Sequence, residues 1–394
     1  MKRFYKTSIL LFLIAGLFAQ SPAQLANKSQ SFVVANDWRY KVTENFHRSE
    51  YTLGALQAIK KVGKGDFLIS CGDVSPVDAS RALISEVLGK DYLWYTAPGN
   101  HDQEDTVFFG LLRKMNAGGM SLPHVVRKGP ARCEETTYSF EIGDCHIAIL
   151  NLYFDGKSDI GTDGDVVPEL LNWLEEDLKN NKKTYTFVVG HEPLLAQPDM
   201  DNGRIRHQGD SLDKYCRNAN RLHNLLKKYG VTAYLNGHTH GASITKINGV
   251  WQIDAGHAYG IEDLYPEFLF TEISDYIRTN SASGKVIDEM IGDFFRTESY
   301  SIKKVLYYTG LTDGVSYKQF ADEPALLQLT KFYHDYKQNP QVREKYIRTF
   351  EKNWDLSRST FIKIILEKPA VKVEVYRDDS KGGPYQLMHT EILK

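Results

Sequence analysis

Several features that would settle the class of this chain are missing. No apolar run reaches bilayer length: the most apolar stretch, Ser8 to Ala19, is about a dozen residues where a span needs ~20. Charge is nearly balanced, with 48 Lys and Arg against 50 Asp and Glu, so the basic footprint of a bulk nucleic-acid binder is absent. There is no internal repeat and no low-complexity tract, and 42% apolar with 25% charged residues excludes disordered, collagenous and multi-span membrane classes. Cysteine is scarce, with four in 394 residues.

The cysteines resist pairing. Thr137 to Ile142 and Cys145 to Leu150 form two expected strands joined by the tight turn Gly143-Asp144. In that register Cys145 lies opposite Ile142, and Cys133 lies about nine positions further along at ~3.3 Å each, so these two cannot bridge within a regular hairpin. Cys71 ends an apolar strand and reads as a buried thiol.

What is present begins with a leader. Lys2, Arg3 and Lys6 precede the short apolar run, and Ser21-Pro22-Ala23 offers small residues before Gln24, the pattern of a secretory signal peptide over residues 1–23. Its removal takes away three positive charges and leaves a mildly acidic chain. The expectation is a periplasmic or secreted protein with no stable membrane span after cleavage.

A chain of 394 residues supports one large catalytic domain with elaborations, or two domains. From Ser31 to about Gly260, short apolar strands alternate with helical stretches, an α/β rhythm. Expected strands are Phe32 to Ala35, Phe67 to Cys71, Leu93 to Thr96, the hairpin above, Tyr185 to Val189, Thr232 to Leu235 and Val250 to Ile253. Expected helices are Tyr51 to Val62, Arg81 to Leu88, Thr106 to Met115, Val167 to Asn180 and Arg217 to Tyr229. Residues 24–260 are thus taken as the core. Residues 261–355, with long charged helical stretches such as Ala325 to Phe350, read as a helical insertion or accessory segment. Phe361 to Leu366 and Val371 to Tyr376 alternate like strands, and residues 356–394 are expected to complete a core sheet.

Five strand-to-loop junctions hold the suggestive polar residues: Asn36-Asp37-Trp38-Arg39, Gly72-Asp73, Gly99-Asn100-His101-Asp102, Gly190-His191-Glu192-Pro193 and Gly237-His238-Thr239-His240. In an open α/β sheet, ligands sit outside the carboxyl ends of the strands, so junctions far apart in sequence can converge. Carboxylate and amide oxygens with imidazoles, and no thiolate, suit manganese, zinc or iron. A carboxylate can bridge two such cations, and water held between them becomes a hydroxide able to attack phosphorus near neutral pH.

In the order and spacing of these blocks the chain resembles the calcineurin-like metallophosphoesterase superfamily over roughly residues 31–260. The resemblance implies two stacked mixed sheets flanked by helices, a four-layer α-β-β-α sandwich. It implies two divalent or trivalent metal ions (Mn, Zn or Fe), with Asp73 bridging, Asp37 and His240 on the first metal, and Asn100, His191 and His238 on the second. His101 would face the phosphate, protonating the leaving oxygen or stabilising charge. Asp102 and His257 would stand behind the ligands.

The departures from the family pattern are specific. The first block usually reads Asp-x-His, and Arg39 stands where the His would be, either clamping a phosphate or pairing with a surface acid. No Asp-Arg-Gly follows Asp73, which weighs against a protein phosphatase, and Pro76 takes the place of the Tyr ligand of purple acid phosphatases, which weighs against that subgroup. Arg204, Arg206 and His207 lie in a Gly- and Asp-containing loop, His207 being a candidate substrate contact. Tyr153 and Trp251 read as core or wall aromatics.

The function expected is hydrolysis of small phosphomonoesters or phosphodiesters, such as nucleotides, sugar phosphates or lipid head groups. A second reading is a non-catalytic or attenuated phosphate-ligand binder on the same fold, because of Arg39. A third is a diesterase of cell-envelope polymers with residues 261–355 as a binding lobe.

Overall fold

A computed structural model describes residues 29–38, 52–104, 106–161, 163–197, 199–200, 207, 211–258, 262–263, 356–378 and 384–393. The expected leader and most of the expected insertion, including its helix over Ala325 to Phe350, lie outside the described residues.

The strands are β1 Ser31–Val34, β2 Phe67–Ser70, β3 Leu93–Thr96, β4 Val125–Lys128, β5 Tyr138–Ile142, β6 Cys145–Ile149, β7 Tyr185–Val189, β8 Ala233–Asn236, β9 Ala242–Ile247, β10 Val250–Ala255, β11 Glu262–Asp263, β12 Leu356–Ser357, β13 Thr360–Glu367, β14 Ala370–Arg377 and β15 Gln386–Leu393. The helices are α1 Thr52–Val62, α2 Val77–Leu88, α3 Asn100–Glu104, α4 Thr106–Met115, α5 Pro168–Asn180 and α6 Cys216–Lys228.

Strand periodicity sorts the apolar side chains into separate layers. In β1, Phe32 and Val34 enter one core and Val33 enters another; in β6, Cys145, Ile147 and Ile149 enter the first and Ala148 a third. That alternation follows from successive side chains pointing to opposite faces of a sheet. The shared core lies between a six-stranded sheet, ordered β15-β14-β13-β1-β2-β3, and a seven-stranded sheet, ordered β4-β5-β6-β7-β8-β10-β9. Aromatic rings cross this seam: Tyr95 stacks on Phe140 at 3.7 Å, and Phe32 meets Phe187 edge-on at 5.2 Å. Each such buried side chain contributes roughly 1.5–3 kcal/mol. The outer cores lie under α1, α2 and α4 on one side and under α5 and α6 on the other, so the architecture is the α-β-β-α sandwich.

Both sheets are mixed. β1, β2 and β3 run parallel, as do β6, β7, β8 and β10, while β13 joins β1 antiparallel with Val34 opposite Ile362. The parallel strands are buried on both faces, which is why they read as plain apolar runs. Helix α5 buries Leu170, Leu171, Leu174 and Leu178 on one stripe. After α6, Gly230 takes φ +61 and its N–H reaches the Lys227 carbonyl, closing the helix.

Four strands were not expected: the two-residue pair β11 and β12, and the longer β4 and β9. β4 and β9 are the edge strands of the seven-stranded sheet and carry polar residues where an interior strand would be apolar; β4 alternates toward solvent, whereas β9 is largely buried, with Ser243 and Thr245 inside. Helix α2 begins at Val77, a turn earlier than expected, directly after Pro76. All four cysteines are free, and Cys145 sits opposite Ile142.

Candidate active site

The carboxyl ends of the parallel strands of both sheets meet at one end of the sandwich. Asp37 follows β1, Asp73 follows β2, and Asn100 opens α3 just beyond β3; His191 follows β7, and His238 and His240 follow β8. Asp37, Asp73, His238 and His240 all take left-handed backbone angles, with φ of 54°, 55°, 70° and 58°. Such a conformation costs of order 1–3 kcal/mol for a residue with a Cβ and persists where surrounding contacts impose it. Here it turns each side chain back toward the seam. The chain also comes close to itself: a Cβ at Gly99 would collide with the Asp73 carboxylate, and one at Gly237 with that of Asp37.

The predicted donors come together. Asp37, Asp73 and His240 offer ligand atoms within 4.8 Å of one another. His191 donates from Nδ1 to the Cys71 carbonyl at 2.8 Å. A carbonyl only accepts, so Nε2 keeps its lone pair, and it points to Asn100 Oδ1 at 3.0 Å, with Asp73 Oδ1 at 3.6 Å. His238 Nδ1 closes the group, 3.2 Å from both Asn100 Oδ1 and His191 Nε2. Burial holds His191 below the usual imidazole range, in the neutral form that binds metals. Burial, with the Asp73 and Asp254 carboxylates adding to it, pushes Asp37 well above the usual carboxyl range. Crowded carboxylates beside neutral imidazole lone pairs are the chemistry a cation relieves, so the donor set fits metal.

Asp102 lies beneath. Its carboxylate accepts the N–H groups of Asp73, Val74, Ser75 and Gly99 and the Ser75 hydroxyl, at 2.6 to 3.0 Å, which holds the second and third junctions together. His101 sits at the rim and is 25% exposed; its N–H donates to Asp73 Oδ1, and its Nε2 lies 3.9 Å from Asp73 Oδ2. The His207 ring lies against that of His238, tilted by 33° with centroids 3.9 Å apart, and the His257 ring is 5.7 Å from that of His240. Arg39, Arg204 and Arg206 lie outside the described residues.

Sequence reasoning passed over several groups. Asn36 donates to Asp37 and to the Gly256 carbonyl, tying the first junction to the opposite sheet. Asp254 accepts from Asn236, Thr239 and the Gly256 N–H, and so braces the loop that carries His238 and His240. Glu192 lies 3.3 Å from His238 Nε2, and Tyr153, taken as a wall aromatic, donates its hydroxyl to Glu192. The available signal was position: Asn36, Glu192 and Asp254 stand in the same blocks as residues already singled out.

The family model described as calcineurin-like phosphoesterase matches residues 31–242, more than half of the chain and all six donors. The chain belongs to the calcineurin-like phosphoesterase family. It is a hydrolase acting on phosphoester bonds. Human tartrate-resistant acid phosphatase type 5 is 24% identical over 70% of this chain and 94% of its own length. Purple acid phosphatase 17 of Arabidopsis thaliana is 25% identical over 54% of this chain and 62% of its own. The solved structure of PhoD aligns with a TM-score of 0.48 at 11% identity, covering 92% of this chain and 69% of that one. The sequence likeness therefore runs to acid phosphatases, a purple acid phosphatase among them, the subgroup against which Pro76 weighed. Among the described residues no helix is long and apolar enough to cross a membrane.

Proposed function

We propose that this phosphoesterase hydrolyses small phosphomonoesters or phosphodiesters at a pair of metal ions, manganese, zinc or iron, in the periplasm or outside the cell. The observation that carries the reading is the meeting of His191 Nε2, Asn100 Oδ1 and His238 Nδ1 within 3.0 to 3.2 Å, beside the Asp37, Asp73 and His240 set. Asp37 and His240 would hold one cation, Asn100, His191 and His238 the other, with Asp73 between them. When bound, such a pair supplies Lewis acidity and a nucleophile at neutral pH.

The remaining roles fall to side chains. His101, partly exposed beside Asp73, faces the approaching phosphate and is placed to give a proton to the leaving oxygen. His207, its ring packed against that of His238, forms part of the substrate wall. Asp102 keeps Asp73 and Asn100 in register by gathering the backbone N–H groups of their junctions. The acid phosphatase names of the relatives support monoesters as first substrates to try.

The test is turnover of p-nitrophenyl phosphate and bis(p-nitrophenyl) phosphate by metal-loaded protein beside Asp73→Ala and His101→Ala. Unchanged rates in both variants refute the assignment. A non-catalytic or attenuated phosphate-ligand binder on the same fold is the second reading, favoured by Arg39 in the place of the family His beside the three-residue set of Asp37, Asp73 and His240. Arg39→His separates the two: a gain in rate means attenuation, a loss means that Arg39 is a working part.

A further inference from the structure

We infer that Glu192 is a positioning residue for the second metal set, a carboxylate placed to accept the Nε2–H of His238 so that Nδ1 is presented as the donor nitrogen, with Tyr153 holding the carboxylate in place. This rests on the metal reading above.

An imidazole has two nitrogens, and the bond made by one decides which is left to bind metal. For His191 the Cys71 carbonyl makes that choice. His238 has the opposite orientation: Nδ1 faces Asn100 and His191, and Nε2 faces Glu192 Oε2 at 3.3 Å. Neighbours in sequence thus bracket one ring, His191 on its donor side and Glu192 on its far side. A carboxylate does more than a carbonyl in this place. It accepts the N–H as a hydrogen bond, and its charge makes the imidazole a stronger electron-pair donor.

Glu192 is held at both ends. Its side chain is 3% exposed. Its Oε1 accepts the hydroxyl of the fully buried Tyr153 at 3.0 Å, and its backbone carbonyl accepts the hydroxyl of Tyr234 at 2.8 Å. A Cβ at residue 164 would come within 2.8 Å of Glu192 Oε1, so glycine there leaves the carboxylate its space. The His207 ring packs against His238 on another side, with centroids 3.9 Å apart.

The experiment is calorimetric titration of the metal-free full chain with Mn²⁺ or Zn²⁺, for wild type, Glu192→Ala, Glu192→Gln and Tyr153→Phe. Wild type should bind two ions. Glu192→Ala should lose roughly 10–100-fold in affinity at one site and leave the other unchanged. Glu192→Gln keeps an acceptor without the charge and should recover part of that loss; Tyr153→Phe should show a smaller loss at the same site. Thermal unfolding of the metal-free variants reports whether each folds, and if Glu192→Ala does not, the two conservative variants decide. Two wild-type ions with unaltered affinities in Glu192→Gln and Tyr153→Phe overturn the role of Glu192 and leave the metal reading standing. Fewer than two ions in wild type overturns that reading, and the inference with it.

Discussion

The six-stranded sheet contributes oxygen donors to the cluster, and the seven-stranded sheet contributes nitrogen donors. Asp37, Asp73 and Asn100 follow β1, β2 and β3, whereas His191, His238 and His240 follow β7 and β8. Each side is braced partly by the other: Asn36 reaches across to the Gly256 carbonyl, and His191 to the Cys71 carbonyl. The anionic half needs positive charge and the imidazole half needs an electron-pair acceptor, so neither layer alone makes a metal site. On the metal reading proposed above the seam is the functional element, and whatever separates the sheets at this end should disperse the donors.

Substitutions on the two sides test that division. Asp73→Asn should have the largest effect, because Asp73 lies against both sets; we expect a loss well beyond the ~10–100-fold typical of a residue that only supports a ligand, with metal content falling as measured by plasma mass spectrometry. Retention of both metals would show that the oxygen side is dispensable. Next is the buried pair that ties β14 to the loop after β7, in which Arg377 donates to both oxygens of Asp199 at 3.2 and 2.8 Å. Arg377→Met leaves Asp199 buried without its guanidinium and should cost about 3–5 kcal/mol in urea unfolding. A smaller cost would mean that the seam is held elsewhere. His101→Ala should lower kcat by roughly 10²-fold with metal content unchanged, which would separate the rim from the donors on either sheet. At the small end, a reductant should leave the thermal midpoint unmoved, since all four thiols are free and no covalent link joins the sheets.

The regular parts of this fold were legible because they are local. Eight strands between Ser31 and Ala255 follow from apolar runs bounded by Gly, Asp and Asn, and α5 from a stripe of leucines. β4 escaped because an edge strand that buries only part of its surface need not be apolar, and β9 because its buried side chains include the polar Ser243 and Thr245. The donors were legible for a different reason, their residue types at strand ends. Their braces were not: Glu192 looks like any loop carboxylate until His238 stands beside it, and Asp254 until Thr239 does.

Sequence alone determined where the strands end and which oxygens and nitrogens stand there, because strand periodicity and turn chemistry act over a few residues. Only the tertiary structure decided which imidazole nitrogen faces the seam, which carboxylate lies behind it, and that β13 closes onto β1 with Ser31 opposite Ile365. Those outcomes depend on contacts between segments far apart along the chain, and no local pattern specifies the partner of a buried polar group.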